Sequence, residues 1–196
     1  MFKENFNIGK MTEEGKCTLA TKDTEVVLGH GIIGEFQDTI YHADGSVEVM
    51  EVQRNCIIKD IGKLIACLMK REEGQQGLTY WAIGSGSDSW DVVKPPDAQP
   101  TDNGCVNEIG RKAIPLDAIE FVDPDGNHSE EITNSIKITL VFNTDECNGV
   151  WREFSLFGGD ATEELNSGLA INHKNHSVMV KNETMTIERQ IRFIFN

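Results

Sequence analysis

A mainly β fold, an antiparallel β-sandwich carrying one amphipathic helix near residues 57–71, is what this sequence predicts. Three observations predict it. Several segments alternate apolar and polar residues, turn-forming residues separate those segments, and a single stretch has helical periodicity. A doubly wound parallel sheet would need helices alternating with the strands, and the sequence provides no such series.

Within residues 1–53, short apolar runs mix with glycine. The clearest element is Thr39–Val49, where Asp44-Gly45 between two alternating runs predicts a tight hairpin. This region reads as a β-hairpin region or arm, and residues 54–196 as a helix plus β-sandwich domain, with one continuous domain as the alternative. The helix rests on Ile57, Ile58, Ile61, Leu64, Ile65 and Leu68 at three- and four-residue spacing, with Lys59, Asp60, Lys63 and Lys70 opposite and Gly74 and Gly77 closing it. Leu78–Ile83 reads as a strand. It leads into a surface excursion over residues 91–105, where Pro95, Pro96 and Pro100 cannot donate ladder hydrogen bonds. Further strands are predicted over 113–122, 135–142, 150–157, 168–171 and 184–195. Ile136, Ile138, Leu140 and Phe142 share one face, as do Met185, Ile187, Ile191, Phe193 and Phe195, a stripe that Arg189 interrupts.

A chain of 196 residues suits one ordinary domain. Its formal charge of −14 repels phosphate backbones and argues against nucleic-acid binding. No stretch of apolar residues is long enough to span a membrane, and the first residues lack a leader-like apolar run, so the expectation is a protein assembled in a cytoplasm without a membrane role. The five cysteines are scattered without a C-x-x-C pair, which points to reduced core residues and not to disulfides or zinc.

The search for chemistry yields no catalytic set, no cofactor site and no metal site. Gly84-Ser-Gly-Ser-Asp88 lacks the spacing of a phosphate loop or a nucleophile turn, although Ser87 leaves a hydrolase as a remote rival. Asp123-Pro-Asp-Gly-Asn127 gathers carboxylates, but its glycine stands at the wrong position for a calcium loop, so a plain turn is expected. His173 and His176 form the densest histidine pair and lack a third ligand nearby. Arg152 and Glu153 sit in an aromatic strand and are expected to pair with neighbours. Trp81, Trp90 and Trp151 are the residues a carbohydrate-binding module would stack on sugar.

In order, Arg54-Asn-Cys-Ile-Ile-Lys-Asp-Ile-Gly-Lys-Leu-Ile-Ala66, Tyr80-Trp-Ala-Ile-Gly-Ser-Gly86, Asn107-Glu-Ile-Gly-Arg111 and Trp151-Arg-Glu-Phe-Ser-Leu-Phe-Gly-Gly159 form a pattern that continues through Asn166-Ser-Gly168, His173 and Lys181. The pattern resembles structural proteins of tailed bacteriophages, of the tail-fibre-base and baseplate-associated kind. The resemblance implies a non-enzymatic, β-rich virion subunit that packs against other virion proteins, in a symmetric homo-oligomeric ring, in the tail, baseplate or fibre-attachment region. A neck or head-decorating position is the alternative. Contacts are expected in the Ser85–Asn103 and Phe157–Asn175 segments, with Trp90, Asp97, Asp102, Phe157, Asp160, His173 and His176 as interface residues.

Overall fold

The computed structural model describes residues 31–196, together with the backbone of two short antiparallel strands, β1 (Gly9–Met11) and β2 (Cys17–Leu19). The rest of the expected N-terminal region that precedes residue 31 lies outside the described residues. From there the chain runs β3 (Ile32–His42), β4 (Val47–Val49), β5 (Gln53–Ile57), α1 (Asp60–Lys70), β6 (Gln76–Gly84), β7 (Glu108–Ala113) and β8 (Ile119–Phe121). It continues through β9 (Ser135–Phe142), β10 (Gly149–Gly159), β11 (Leu169–Ala170), β12 (Asn172–Lys181) and β13 (Met185–Phe195).

Among the described residues the fold is mainly β and antiparallel with one α-helix, the expected class. Its strands from β3 onward make one continuous sheet in the order β7-β6-β10-β12-β5-β3-β13-β9-β8, with β11 beside β10 and β4 beside β3. The sheet curls. Trp81 on β6 meets Phe142 on β9 edge-on at 6.4 Å, and Phe36 on β3 meets Phe154 on β10 at 4.9 Å, although these strands stand far apart along the hydrogen-bonded path. One bent sheet thus encloses the core that two separate layers were expected to sandwich. Its end strands come close: the short link Ile114–Ala118 carries the chain from β7, first in the order, to β8, last in it. Lys112 of β7 spans the same seam, donating to the Val141 carbonyl at 2.7 Å and pairing with Glu146.

The alternating stripes go where alternation sends them. Ile138, Leu140 and Phe142 of β9 and Ile187, Ile191 and Phe193 of β13 are buried. The Asp44-Gly45 hairpin joins β3 to β4, and β3 pairs with β13 over its whole length, so residues 32–53 belong to the same sheet as the rest of the chain. Three boundaries differ from expectation. Ile57 ends β5 and Ile58 donates its N–H to the Ile171 carbonyl, so these two residues are buried outside the helix, which begins at Asp60. Arg71, with φ of 55°, takes the left-handed cap position before either glycine is reached. The predicted strand over 113–122 is divided at Pro115, because the chain there leaves one end of the sheet and joins the other.

Candidate functional site

Strand β10 is buried on both of its faces from Trp151 to Gly159. Trp151, Phe154 and Leu156 all reach the main core despite mixed parity, because the pairing with β12 shifts register between Trp151 and Glu153. Beyond the shift, Glu153 and Phe157 lie outside the main core, Glu153 against the ends of the excursion and Phe157 beside Cys105 within it. Phe157 joins Ile58, Ala82 and Ala170 in a second, smaller cluster there.

Glu153 is fully buried and gathers the two ends of the excursion. Its carboxylate accepts the N–H groups of Gly86 at 2.9 Å, Val106 at 2.8 Å and Asn107 at 2.9 Å. Gly84 leaves the room this needs, since a Cβ there would stand 2.4 Å from Glu153 Oε1. Gly86 has φ of 65°, and a Cβ on it would strike the Trp90 ring at 2.3 Å. The two glycines of the Gly84-Ser-Gly86 sequence therefore serve the anchor and the turn.

His173 stands between two carboxylates. Its Nε2 lies 3.0 Å from Glu153 Oε2 and its Nδ1 lies 2.7 Å from Asp102 Oδ2. Only an imidazolium has an N–H for each partner. Burial opposes the charge, but the hydrogen bonds and charges of Glu153 and Asp102 outweigh it and hold His173 above its ordinary value. Burial likewise opposes charge on Glu153, and the bonds from His173, Asn107 and Val106 outweigh it, keeping the carboxyl below its ordinary range.

Arg152 clamps the near half of the excursion, donating to the carbonyls of Ser87 at 2.9 Å, Trp90 at 2.7 Å and Asp91 at 2.9 Å while its guanidinium lies over the Trp90 ring. The far half is held by other elements. Asp102 reaches His173, Asn175 donates to the Pro96 carbonyl at 3.0 Å, and Lys59 donates its backbone N–H to the Pro100 carbonyl at 2.9 Å.

A second anchor begins one residue after Asn107. Glu108 and Arg111 form a buried two-pronged ion pair at 2.6 and 2.8 Å. Residues three apart on a regular strand point to opposite faces, but the β6–β7 register shifts between Ile83 and Gly84, placing an extra residue, Ile109, on β7 and turning both side chains to one side. Arg111 also donates to the Thr162 and Ser167 carbonyls and the Ser167 hydroxyl, and lies over Phe157 at 4.6 Å. Glu108 accepts the Asn166 N–H at 2.9 Å, so residues 160–168 are tied down beside the excursion. Both loops are acidic: Asp88, Asp91, Asp97 and Asp102 stand against Lys94 in one, and Asp160, Glu163 and Glu164 in the other.

The expected interface residues divide. Asp97 and Asp160 are exposed and Trp90 is half-buried, so these three present surface on the anchored loops. Phe157, His173 and His176 are buried and offer no side-chain surface; Phe157 and His173 are drawn inward beneath the loops by packing and ion pairing, and His176 by packing against Phe154. Asp102 is half-buried and spent on His173. His176 points away from His173, beside Phe154, in the part of β12 that has extra residues relative to β10. Burial, with Arg189 nearby, pushes its value down to about 4, so it is neutral. Arg152 meets carbonyl groups where a carboxylate partner was expected. Trp81 and Trp151 are fully buried and offer no ring to a sugar, whereas Trp90 is half-buried, with the Arg152 guanidinium carbon 5.7 Å from its ring centroid. The Asp123–Asn127 segment is a turn closed by the Asp123 side chain accepting the Asn127 N–H at 2.9 Å.

Sequence reasoning missed the Glu108–Arg111 pair and the role of Asp102. The one visible signal was charge inside otherwise apolar or glycine-flanked strands. No protein-family model, no curated protein and no solved structure matches the chain.

Proposed function

We propose that this chain is a structural subunit of a tailed-bacteriophage particle, packing against other virion proteins in the tail, baseplate or fibre-attachment region. The observation that carries the reading is the convergence of the sequence pieces behind the resemblance. Gly84-Ser-Gly86, Asn107-Glu-Ile-Gly-Arg111, Glu153 to Gly159, Asn166-Ser-Gly168 and His173 are dispersed in sequence, yet together they form the two loop anchors. A set of residues spent on fixing two neighbouring acidic loops to a stiff sheet suits a protein whose work is to hold a surface in place. With the polar side chains engaged in this way, the reading assigns the chain no catalysis.

The acidic loops then meet a complementary surface on a neighbouring virion protein or the next copy in a ring, which offsets the repulsion between chains of charge −14. Mass spectrometry of purified particles, with deletion of the gene, tests the reading. The chain is expected in stoichiometric amount in particles, and its deletion is expected to abolish infectivity. Infective particles that lack the chain overturn the proposal, while the stage at which assembly stops distinguishes a tail position from a neck or head-decorating one.

A further inference from the structure

The excursion is fastened in two ways that respond differently to pH. Its near half hangs on the Arg152 guanidinium, whose charge is permanent over the whole working range. Its far half hangs on an imidazole. We propose that His173 is a protonation lock for the far half of the excursion, Pro96–Asp102, which is seated while His173 carries both protons and released from β12 when one is lost.

The geometry requires the charge. Glu153 Oε2 and Asp102 Oδ2 lie at hydrogen-bond distance from opposite ring nitrogens, at 3.0 and 2.7 Å, and each is a carboxylate oxygen that can only accept. A neutral ring satisfies one and turns a lone pair toward the other. Glu153 is fully buried and fixed by three backbone N–H groups, so it can neither move nor turn to water, whereas the Asp102 side chain is 29% exposed on a loop and can exchange the ring for solvent. The bond that yields is therefore the one to Asp102. The titratable and charged groups around the ring are Asp102 and Cys105 from the excursion, Glu153 from β10, Cys56 opposite it on β5, and Lys59, whose Nζ donates to the Thr101 carbonyl at 3.2 Å. Burial raises both thiols, so neither supplies a competing charge near neutrality.

Because the seated loop holds His173 above its ordinary value, the lock is closed below the ordinary imidazole range and opens as pH rises through the raised value. Each unit by which the seated pKa exceeds the released one changes the seating equilibrium tenfold. The device is independent of the virion assignment.

Two backbone amides report the halves separately. The Lys59 N–H bonds the Pro100 carbonyl, and the Val178 N–H bonds the Val92 carbonyl at 3.0 Å. Hydrogen exchange of both, followed by NMR from about pH 6 to about pH 9 alongside the His173 ring signals, is the test. After correction for base catalysis, the Lys59 amide is expected to lose protection at least about tenfold as His173 deprotonates, with the Val178 amide unchanged. In Asp102→Ala, which leaves Nδ1 no side-chain partner on the loop, the Lys59 amide is expected to show that low protection at every pH, and His173 to titrate lower. A His173 that titrates at or below the ordinary imidazole value, or Lys59 and Val178 amides that change together or not at all across its transition, overturns the lock. The wild-type titration decides the matter even if the variant does not fold.

Discussion

Arg189 of β13 and Asp38 of β3 are direct cross-strand partners and form a two-pronged ion pair, 2.6 Å on each arm, inside the core. Both are buried, and Phe36, Trp151 and Phe154 lie within 5.6, 5.1 and 4.7 Å of the guanidinium carbon. The residue that breaks the apolar stripe of the last strand thus faces inward with that stripe, its charge met by a carboxylate on the neighbouring strand.

Removing one partner strands the other charge in an apolar box. Asp38→Asn is expected to destabilise the protein by about 3–5 kcal/mol. Replacing both, as Asp38→Leu with Arg189→Met, is expected to recover most of that loss, because the desolvation of two charges disappears together. Urea unfolding of the single and double variants checks both statements, and a double variant no better than the single one contradicts the second.

Glu153 satisfies three backbone donors and one imidazolium, so Glu153→Gln is expected to cost about 2–4 kcal/mol and to free both ends of the excursion. Gly84→Ala attacks the same anchor sterically, and overpacking of about 1–3 kcal/mol is expected from the Cβ it would push against the Glu153 carboxylate. Chemical denaturation gives the magnitudes. Exchange of the Ser85 N–H, which bonds the Asn107 carbonyl at 2.9 Å, shows whether the loop base has opened.

Arg111 binds a carboxylate through two arms and also reaches three acceptors on residues 162 and 167, a geometry that an ammonium cannot reproduce. Arg111→Lys is expected to speed proteolytic cleavage within residues 160–168 while leaving β9 and β13 protected. Equal cleavage rates in the variant and the parent would show that the loop is held by other means.

His176 refuses a proton that the unfolded chain accepts. Between its unfolded value of 6.5 and the folded value of about 4, the unfolded state binds more protons, so stability falls as pH drops through that window and this contribution levels off below it. The loss is expected to reach about 3 kcal/mol. His173 has the opposite sign: its contribution is whole below 6.5 and disappears as pH rises through its raised folded value. Unfolding free energies of the parent and of His176→Gln across acid pH isolate the first effect, since only the parent should show the full acid slope.

Much of the scaffold was legible. β9 and β13 were read to within a residue at each end, because a strand that buries one face must alternate, and the Asp44-Gly45 hairpin and the proline-rich excursion carried their own turn chemistry. β12 was not legible. Its Asn-His-Lys-Asn-His-Ser stretch has no apolar alternation, and it is a strand because β10 and β5 flank it and supply its backbone partners. The helix start was misplaced for a related reason: Ile57 and Ile58 are buried by β12 and the residues before it, and periodicity registers burial without saying which element does the burying.

The sequence alone determined that the described residues are mainly β with an amphipathic helix, where most strands run, and that a polar excursion leaves the sheet after β6, since all of these follow from local propensity and from which residues avoid water. Folding in three dimensions decided the pairs: Asp38 with Arg189, 151 residues apart, Asp102 with His173, 71 apart, and Glu153 with the N–H groups of Gly86 and Asn107, 67 and 46 apart. A buried charge must find its partner through the curl of the sheet and the register shifts within it, and neither leaves a period in the chain.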